Sequence, residues 1–469
     1  MTVTVGADPS IRAAGSGVQA PSTRSGSGNG MRDRGRRSTP VRLALWTAAS
    51  AAALAALLAA TAGSFAASNG GVDSVAQHAA VASDSADLYF SLSDLDAEAA
   101  RLVLLGSGAN PATGSLDHAG DQIAALAAYN QRTAGADADL RRLAATVGGG
   151  DADRIAALTS GVTEYHQIAD AAVALDQTAP SSFPDTMGAS AGQPAAAAIG
   201  YYARATTLMQ SRLLPEAKAL RDDKSAALSD AASSAHLAGI VGAVAAGVVG
   251  LAAVVLAAQT HRRLRLWFRR TTNLGVLTAT LIVLALALGS LFALASTAGD
   301  ASTAGSRFTD YLAVTRTRAA SYDVDGAVTR YLLMPDTTQA ALKKAQTAAE
   351  QELQALGSAG GQASTRWKTV ATGDIPAITG PIAAGTTPDN VAAALARDTG
   401  TARGQEAFDF YFYDSALTTV SQDRLTAFDA SMSSARSDLG GWSWLPWALA
   451  VAALVGLGIG VRPRFAEYR

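Results

Sequence analysis

Four apolar runs constrain this chain more than any other feature. They cover residues 43–67, 237–258, 274–295 and 442–461, and none contains an ionisable side chain. A helix rises 1.5 Å per residue, so about 20 apolar residues cross a hydrocarbon layer of ~30 Å. A helix also satisfies its own backbone polar groups, as lipid requires. The runs predict four transmembrane helices and an all-α integral membrane protein.

Charge gives the orientation. Residues 259–273 read QTHRRLRLWFRRTTN and join the second run to the third. This turn holds Arg262, Arg263, Arg265, Arg269 and Arg270, with Trp267 and Phe268 among them. Arginines in short loops beside membrane helices stay cytoplasmic, and aromatic rings settle at the headgroups. Arg32, Arg34, Arg36, Arg37 and Arg42 lead into the first run, and Arg462, Arg464 and Arg469 follow the last. The pattern predicts a multi-pass plasma-membrane protein with both termini inside. Its cytoplasmic parts are a disordered tail over 1–42, the basic turn over 259–273 and a short tail over 462–469. The turn's arginines either set topology alone or also form an output surface. A cleaved signal peptide is the competing reading of the first run.

The stretches between the runs, 68–236 and 296–441, then lie outside. In the first, Leu88, Leu92, Leu95, Ala99 and Leu102 mark one face of a helix. Gly148-Gly149-Gly150 and the prolines at 180, 184 and 194 separate further helical stretches, with Pro215 placed to kink the last. The second repeats the plan, with breaks at Pro335, at 357–361, at Pro388 and near Gly400. Each stretch reads as an extracytoplasmic helical bundle standing on its flanking spans. Trp442, Trp444 and Trp447 mark the outer end of the fourth span.

The two halves share sequence. Asp94, Asp96 and Arg101 match Asp323, Asp325 and Arg330 in a D-x-D-x4-R pattern at an offset of 229 residues, which also carries the first apolar run onto the third. Asp223-Lys224 with Ser233-Ser234-Ala235 matches Asp423-Arg424 with Ser433-Ser434-Ala435 at an offset of 200. Two matches in the right order predict an internal duplication of two parallel repeats.

These segments are the candidate site. Asp94 and Arg101 stand two helical turns apart, roughly 10 Å along the axis, and would grip the two ends of a small zwitterion. Asp323 and Arg330 repeat the arrangement. Counting inward from the second and fourth spans brings Tyr201, Tyr202 and Arg204, and then Phe410, Tyr411 and Tyr413, level with the motif. These residues form either a ligand or partner surface, or inter-helix ion pairs and aromatic core.

The chain lacks the motifs of several other classes. Net charge is −2 and charged residues make up 16%, against ~25% in soluble chains. The arginines cluster beside apolar runs, unlike those of a nucleic-acid binder. There is no cysteine, so no disulfide framework or thiol nucleophile. The five histidines show no metal-ligand spacing, and no nucleophile elbow or phosphate-binding loop is present. No catalytic residue, metal or cofactor is predicted, and the chain reads as a non-enzyme. Spans without ionisable residues argue against conduction.

Four spans, two helical outer modules and an arginine-rich inner turn resemble the layout of the actinobacterial GlnX family. The resemblance covers residues 43–469 in architecture and carries over no functional residues. It implies a protein between an extracytoplasmic solute-binding lipoprotein for amino acids and the soluble protein kinase G, passing an aspartate or glutamate signal inward. The reading is a receptor-like transmembrane signalling protein that contacts membrane lipid, a solute-binding protein and a cytoplasmic kinase. Homo-oligomerisation stays open. The alternatives are a non-catalytic envelope scaffold and an accessory subunit of a transporter.

Overall fold

A computed structural model describes residues 38–110, 115–180, 188–268, 274–400, 402–442 and 444–466. The described residues are helical, without strands. The first half contains α1 (Ser38–Leu105), α2 (Ala119–Thr146), α3 (Gly149–Gln177), α4 (Ala196–Leu208) and α5 (Leu214–Phe268). The second contains α6 (Leu274–Leu333), α7 (Pro335–Ala355), α8 (Gly361–Thr369), α9 (Ile375–Ala384), α10 (Pro388–Asp398), α11 (Glu406–Gly440) and α12 (Leu445–Ala466). Four helical stretches are long and apolar enough to cross a membrane.

The long helices are uninterrupted because nothing in them breaks a helix. α1 runs 68 residues from the first apolar run to Leu105, where Gly106 takes positive φ. Pro215 and Pro376 would each clash with the carbonyl four residues back. In both cases a π-helical turn precedes the proline, over Met209–Leu213 and Val370–Asp374. The wider turn displaces that carbonyl, so each chain bends and continues. The kink expected at Pro215 is thus a π turn.

Several bounds differ from the expectation. Helix begins at Ser38, inside the stretch read as a disordered tail; residues 1–37 lie outside the description. α5 continues to Phe268, so most of the basic stretch is helix and the connection is confined to 269–273. No glycine or proline stands between 259 and 268 to stop it sooner. α12 starts at Leu445 and runs to Ala466, past the arginines that were expected to begin a tail. Trp444 and Trp447 are exposed, as a belt requires, but Trp442 turns inward and stacks on Phe65 at 4.9 Å.

Three cores stack along the molecule. At the base, Leu54, Leu57, Ala253, Val283, Leu286 and Ala453 join α1, α5, α6 and α12. Outward-facing Val244, Val248, Leu281, Leu288 and Val451 stay exposed there. Small residues set the spacing. A Cβ on Gly239 would meet Ala298 at 2.7 Å, and one on Gly242 would meet Ser64 at 2.8 Å, so α5 lies close to both α6 and α1. A stem follows in which Phe65, Val72, Val75, Leu228, Phe308, Phe428 and Met432 close a four-helix bundle of α1, α5, α6 and α11. The third core is distal and takes residues from every helix except α12. The two outer stretches, expected as two bundles, therefore share one apolar core.

α1 and α6 bury matching positions. Leu54 and Val283, Phe65 and Leu294, Val75 and Ala304, Leu95 and Val324, and Val103 and Leu332 are all buried, each pair 229 residues apart.

Candidate functional site

The two D-x-D-x4-R segments meet in the distal core, where α1 and α6 approach closely. A Cβ on Gly326 would stand 2.9 Å from that of Ala97, its counterpart in the first half. A side chain at position 326 would not fit at this distance, so the approach requires glycine there. Around it the motif residues pair crosswise. Arg330 donates to Asp96 at 2.8 Å, and Arg101 donates to Asp325 at 3.3 Å. Each arginine thus takes the acid of the other segment.

The two pairs have different surroundings. Asp96 is fully buried and accepts from Tyr165 at 3.2 Å, Thr206 at 2.9 Å and Gln210 at 3.3 Å as well as from Arg330. Tyr202 donates to the Asp96 carbonyl at 3.3 Å. Burial pushes the Tyr165 and Tyr202 phenols well up, which keeps both protonated as donors. A buried ion pair needs this kind of saturation to offset desolvation. Asp325 faces more acid. Arg101 is shared between it and Glu98, at 3.1 Å, and Asp398 and Glu406 lie close enough to act on both Arg101 and Asp325. Burial pushes Glu98 and Asp398 up to about 7 and holds Glu406 well above the usual carboxylate range.

Each arginine lines a cleft. Arg330 borders a cavity of about 430 Å³ whose walls carry Thr206, Thr207, Gln210, Lys218, Asp323 and Lys344. Lys218 and Lys344 are exposed and form no ion pair with a described residue. Arg101 borders a cavity of about 260 Å³ lined by Glu98, Asp121, Asp398, Thr399 and alanines of α2 and α11. The construction corresponds: one wall comes from the helix after the arginine, α7 or α2, and the other from the opposite half, α4 or α11.

The other expected residues divide. Asp94 is buried and pairs with Arg132, while Asp323 accepts from Arg330 at 3.3 Å. Both ends of each motif are therefore engaged within the protein, and a zwitterion held between them would displace these pairs. Tyr202, Phe410 and Tyr413 are core residues, Phe410 meeting Tyr322 edge-on at 5.0 Å. Tyr201, Arg204 and Tyr411 are exposed and line neither cleft.

At the opposite end, Arg262 and Arg263 are exposed, and the Arg263 guanidinium lies 3.9 Å from the Trp46 ring centre. Arg265, Trp267 and Phe268 are on the helical backbone of α5, their side chains outside the described residues, as are Arg269 and Arg270 entirely.

Sequence reasoning missed Lys218, Lys344, Glu98, Asp398 and Glu406. Glu98 alone left a trace, since at the offset of 229 it corresponds to Ala327. No curated protein and no solved structure matches the chain. Residues 71–233, from the upper part of α1 through α2, α3 and α4 to the start of the α5 apolar run, match the family model described as an actinobacterial sensor domain, and this match points to a sensing role.

Proposed function

We propose that this chain is a membrane-spanning receptor whose distal clefts bind ligand and whose long helices carry the response inward. The observation that carries the reading is mechanical. Both cleft arginines sit on α1 and α6, which run without interruption from the clefts to the apolar base. A ligand that alters the Asp96–Arg330 or Arg101–Asp325 pair acts directly on the crossing of these helices. In this reading the base lies in the plasma membrane, the clefts outside and both termini inside, and the halves descend from one duplicated unit.

The basic cleft suits an acidic amino acid, the ligand class implied by the GlnX resemblance. Lys218 and Lys344 supply charge for carboxylates, Thr206, Thr207 and Gln210 supply hydrogen bonds, and Asp323 faces the ammonium group. A solute-binding protein would deliver the ligand. The arginine-rich end of α5 would present a changed surface to a cytoplasmic kinase.

The test is calorimetric titration of L-glutamate and L-aspartate into the full-length protein in lipid nanodiscs. At least one should bind, and Lys344→Glu should weaken it about tenfold or more, or ~1.4 kcal/mol. A folded protein that binds neither amino acid, alone or with a loaded solute-binding protein, is the scaffold of the alternative reading.

A further inference from the structure

The acidic cleft has a property that its basic counterpart lacks. Asp398 is the last residue of α10 and is fully buried, yet neither of its carboxylate oxygens has a hydrogen-bond partner. It lines the cleft beside Glu98, whose Oε2 is likewise unpartnered. A carboxylate at a helix C-terminus faces the negative end of the helix dipole, and a buried charge without a partner is costly. Arg101 is the cation that reaches them, and it is already divided between Glu98 and Asp325. Glu406, 4% exposed, adds to the surplus.

Protonation relieves such a surplus in part, and a bound cation relieves it fully. Among the described residues no group of three carboxylate or imidazole side chains is close enough to hold a metal ion. The carboxylates are spread along a cleft of about 260 Å³ whose other walls are the methyl groups of Ala124, Ala125, Ala128 and Ala407. Dispersed acids over methyl groups suit a charged head on an alkyl chain better than a compact ion.

We propose that this cleft binds a small organic cation, an ammonium or guanidinium group on a short alkyl chain, held by Asp398 and Glu98. Asp121, on the α2 wall, meets a second positive group where the ligand has one. The site is separate from the basic cleft and its ligand is of opposite charge.

Agmatine carries both head types on four methylenes and is the probe. Titrated at pH 8 into the full-length protein in nanodiscs, it should bind and raise the melting temperature. Asp398→Asn keeps the shape and removes the charge, and should weaken agmatine at least tenfold. Glu98→Gln should weaken it less, because Arg101 already offsets that charge. Lys344→Glu, in the other cleft, should leave agmatine binding unchanged. Equal agmatine affinity in wild type and Asp398→Asn overturns the proposal. So does the absence of agmatine and putrescine binding to folded wild-type protein. Glutamate titration of the same samples reports on the basic cleft separately, so either site can fail alone.

Discussion

The two clefts occupy corresponding places and carry opposite charge. Each is bordered by the arginine of one D-x-D-x4-R segment and closed by a helix from the other half. The difference lies in positions where the two halves do not match. Glu98 stands where the second half has Ala327, and Thr206 and Thr207 stand where the second half has Glu406 and Ala407 at the offset of 200. On one side Asp96 receives hydroxyl, phenol, amide and guanidinium donors and is saturated. On the other, Asp325 and Arg101 lie beside Asp398, which has no donor, and Glu98, which has one oxygen without a donor. Corresponding helices border both clefts, and a handful of residue differences between the halves set the charge of each lining.

The comparison breaks most sharply at the arginines. Arg330→Ala strands Asp96, which is fully buried, and should cost about 3–5 kcal/mol in urea or thermal unfolding. Arg101 is partly exposed, with 22% of its side chain accessible, and burial raises its partner Glu98 to about 7. Arg101→Ala should therefore cost about 1–2 kcal/mol, once solvent screening is allowed for. Equal losses would mean that the two pairs are energetically alike despite their surroundings.

The pH dependence sharpens the contrast. Asp398 is raised from 3.8 to about 7 in the folded protein. The folded state thus holds a proton that the unfolded chain has released. Its contribution to stability is full below about pH 4 and is lost as pH rises to about 7. Wild-type stability should fall across that window, with Glu98 contributing to the same slope. Asp398→Asn should flatten the fall and leave the variant more stable than wild type at pH 8, by about 2–4 kcal/mol. A variant with the wild-type slope would mean that Asp398 ionises without penalty.

The smallest effect concerns the crossing shared by both clefts. Gly326→Ala puts a methyl group into the 2.9 Å contact with Ala97 and should cost about 1–3 kcal/mol. The converse change, Ala97→Gly, keeps the approach and should cost about 1 kcal/mol through helix propensity. If Gly326→Ala is as mild as Ala97→Gly, α1 and α6 have room to separate, and the crossing does not tie one cleft to the other.

Much of this was legible along the chain. The helical class follows from apolar periodicity and from runs too long for any other element, both local properties. The matched D-x-D-x4-R segments stood out because a repeat is a comparison of the chain with itself. Tyr202, Phe410 and Tyr413 were placed level with the motif by counting residues, since a helix has a constant rise. Which of them face inward was not legible: Tyr202 is buried and its neighbour Tyr201 exposed, by a rotation that depends on what packs alongside.

The cross-pairing belongs to the tertiary structure alone. Asp96 and Arg330 are 234 residues apart, and nothing local distinguishes a motif that binds its own ligand from one that binds its twin. Asp398 and Glu98 acquire their character in the same way. By itself the chain shows only that the helix starting at Pro388 is broken or bent near Gly400; that Asp398 closes a short helix there is a finding of the structure. Only the packing of α10 against α9, α6 and α11 removes water from its carboxylate without supplying a donor. Periodicity and length act over a few turns and survive in any context, whereas burial, charge balance and cleft shape are properties of neighbours that only the folded chain brings together.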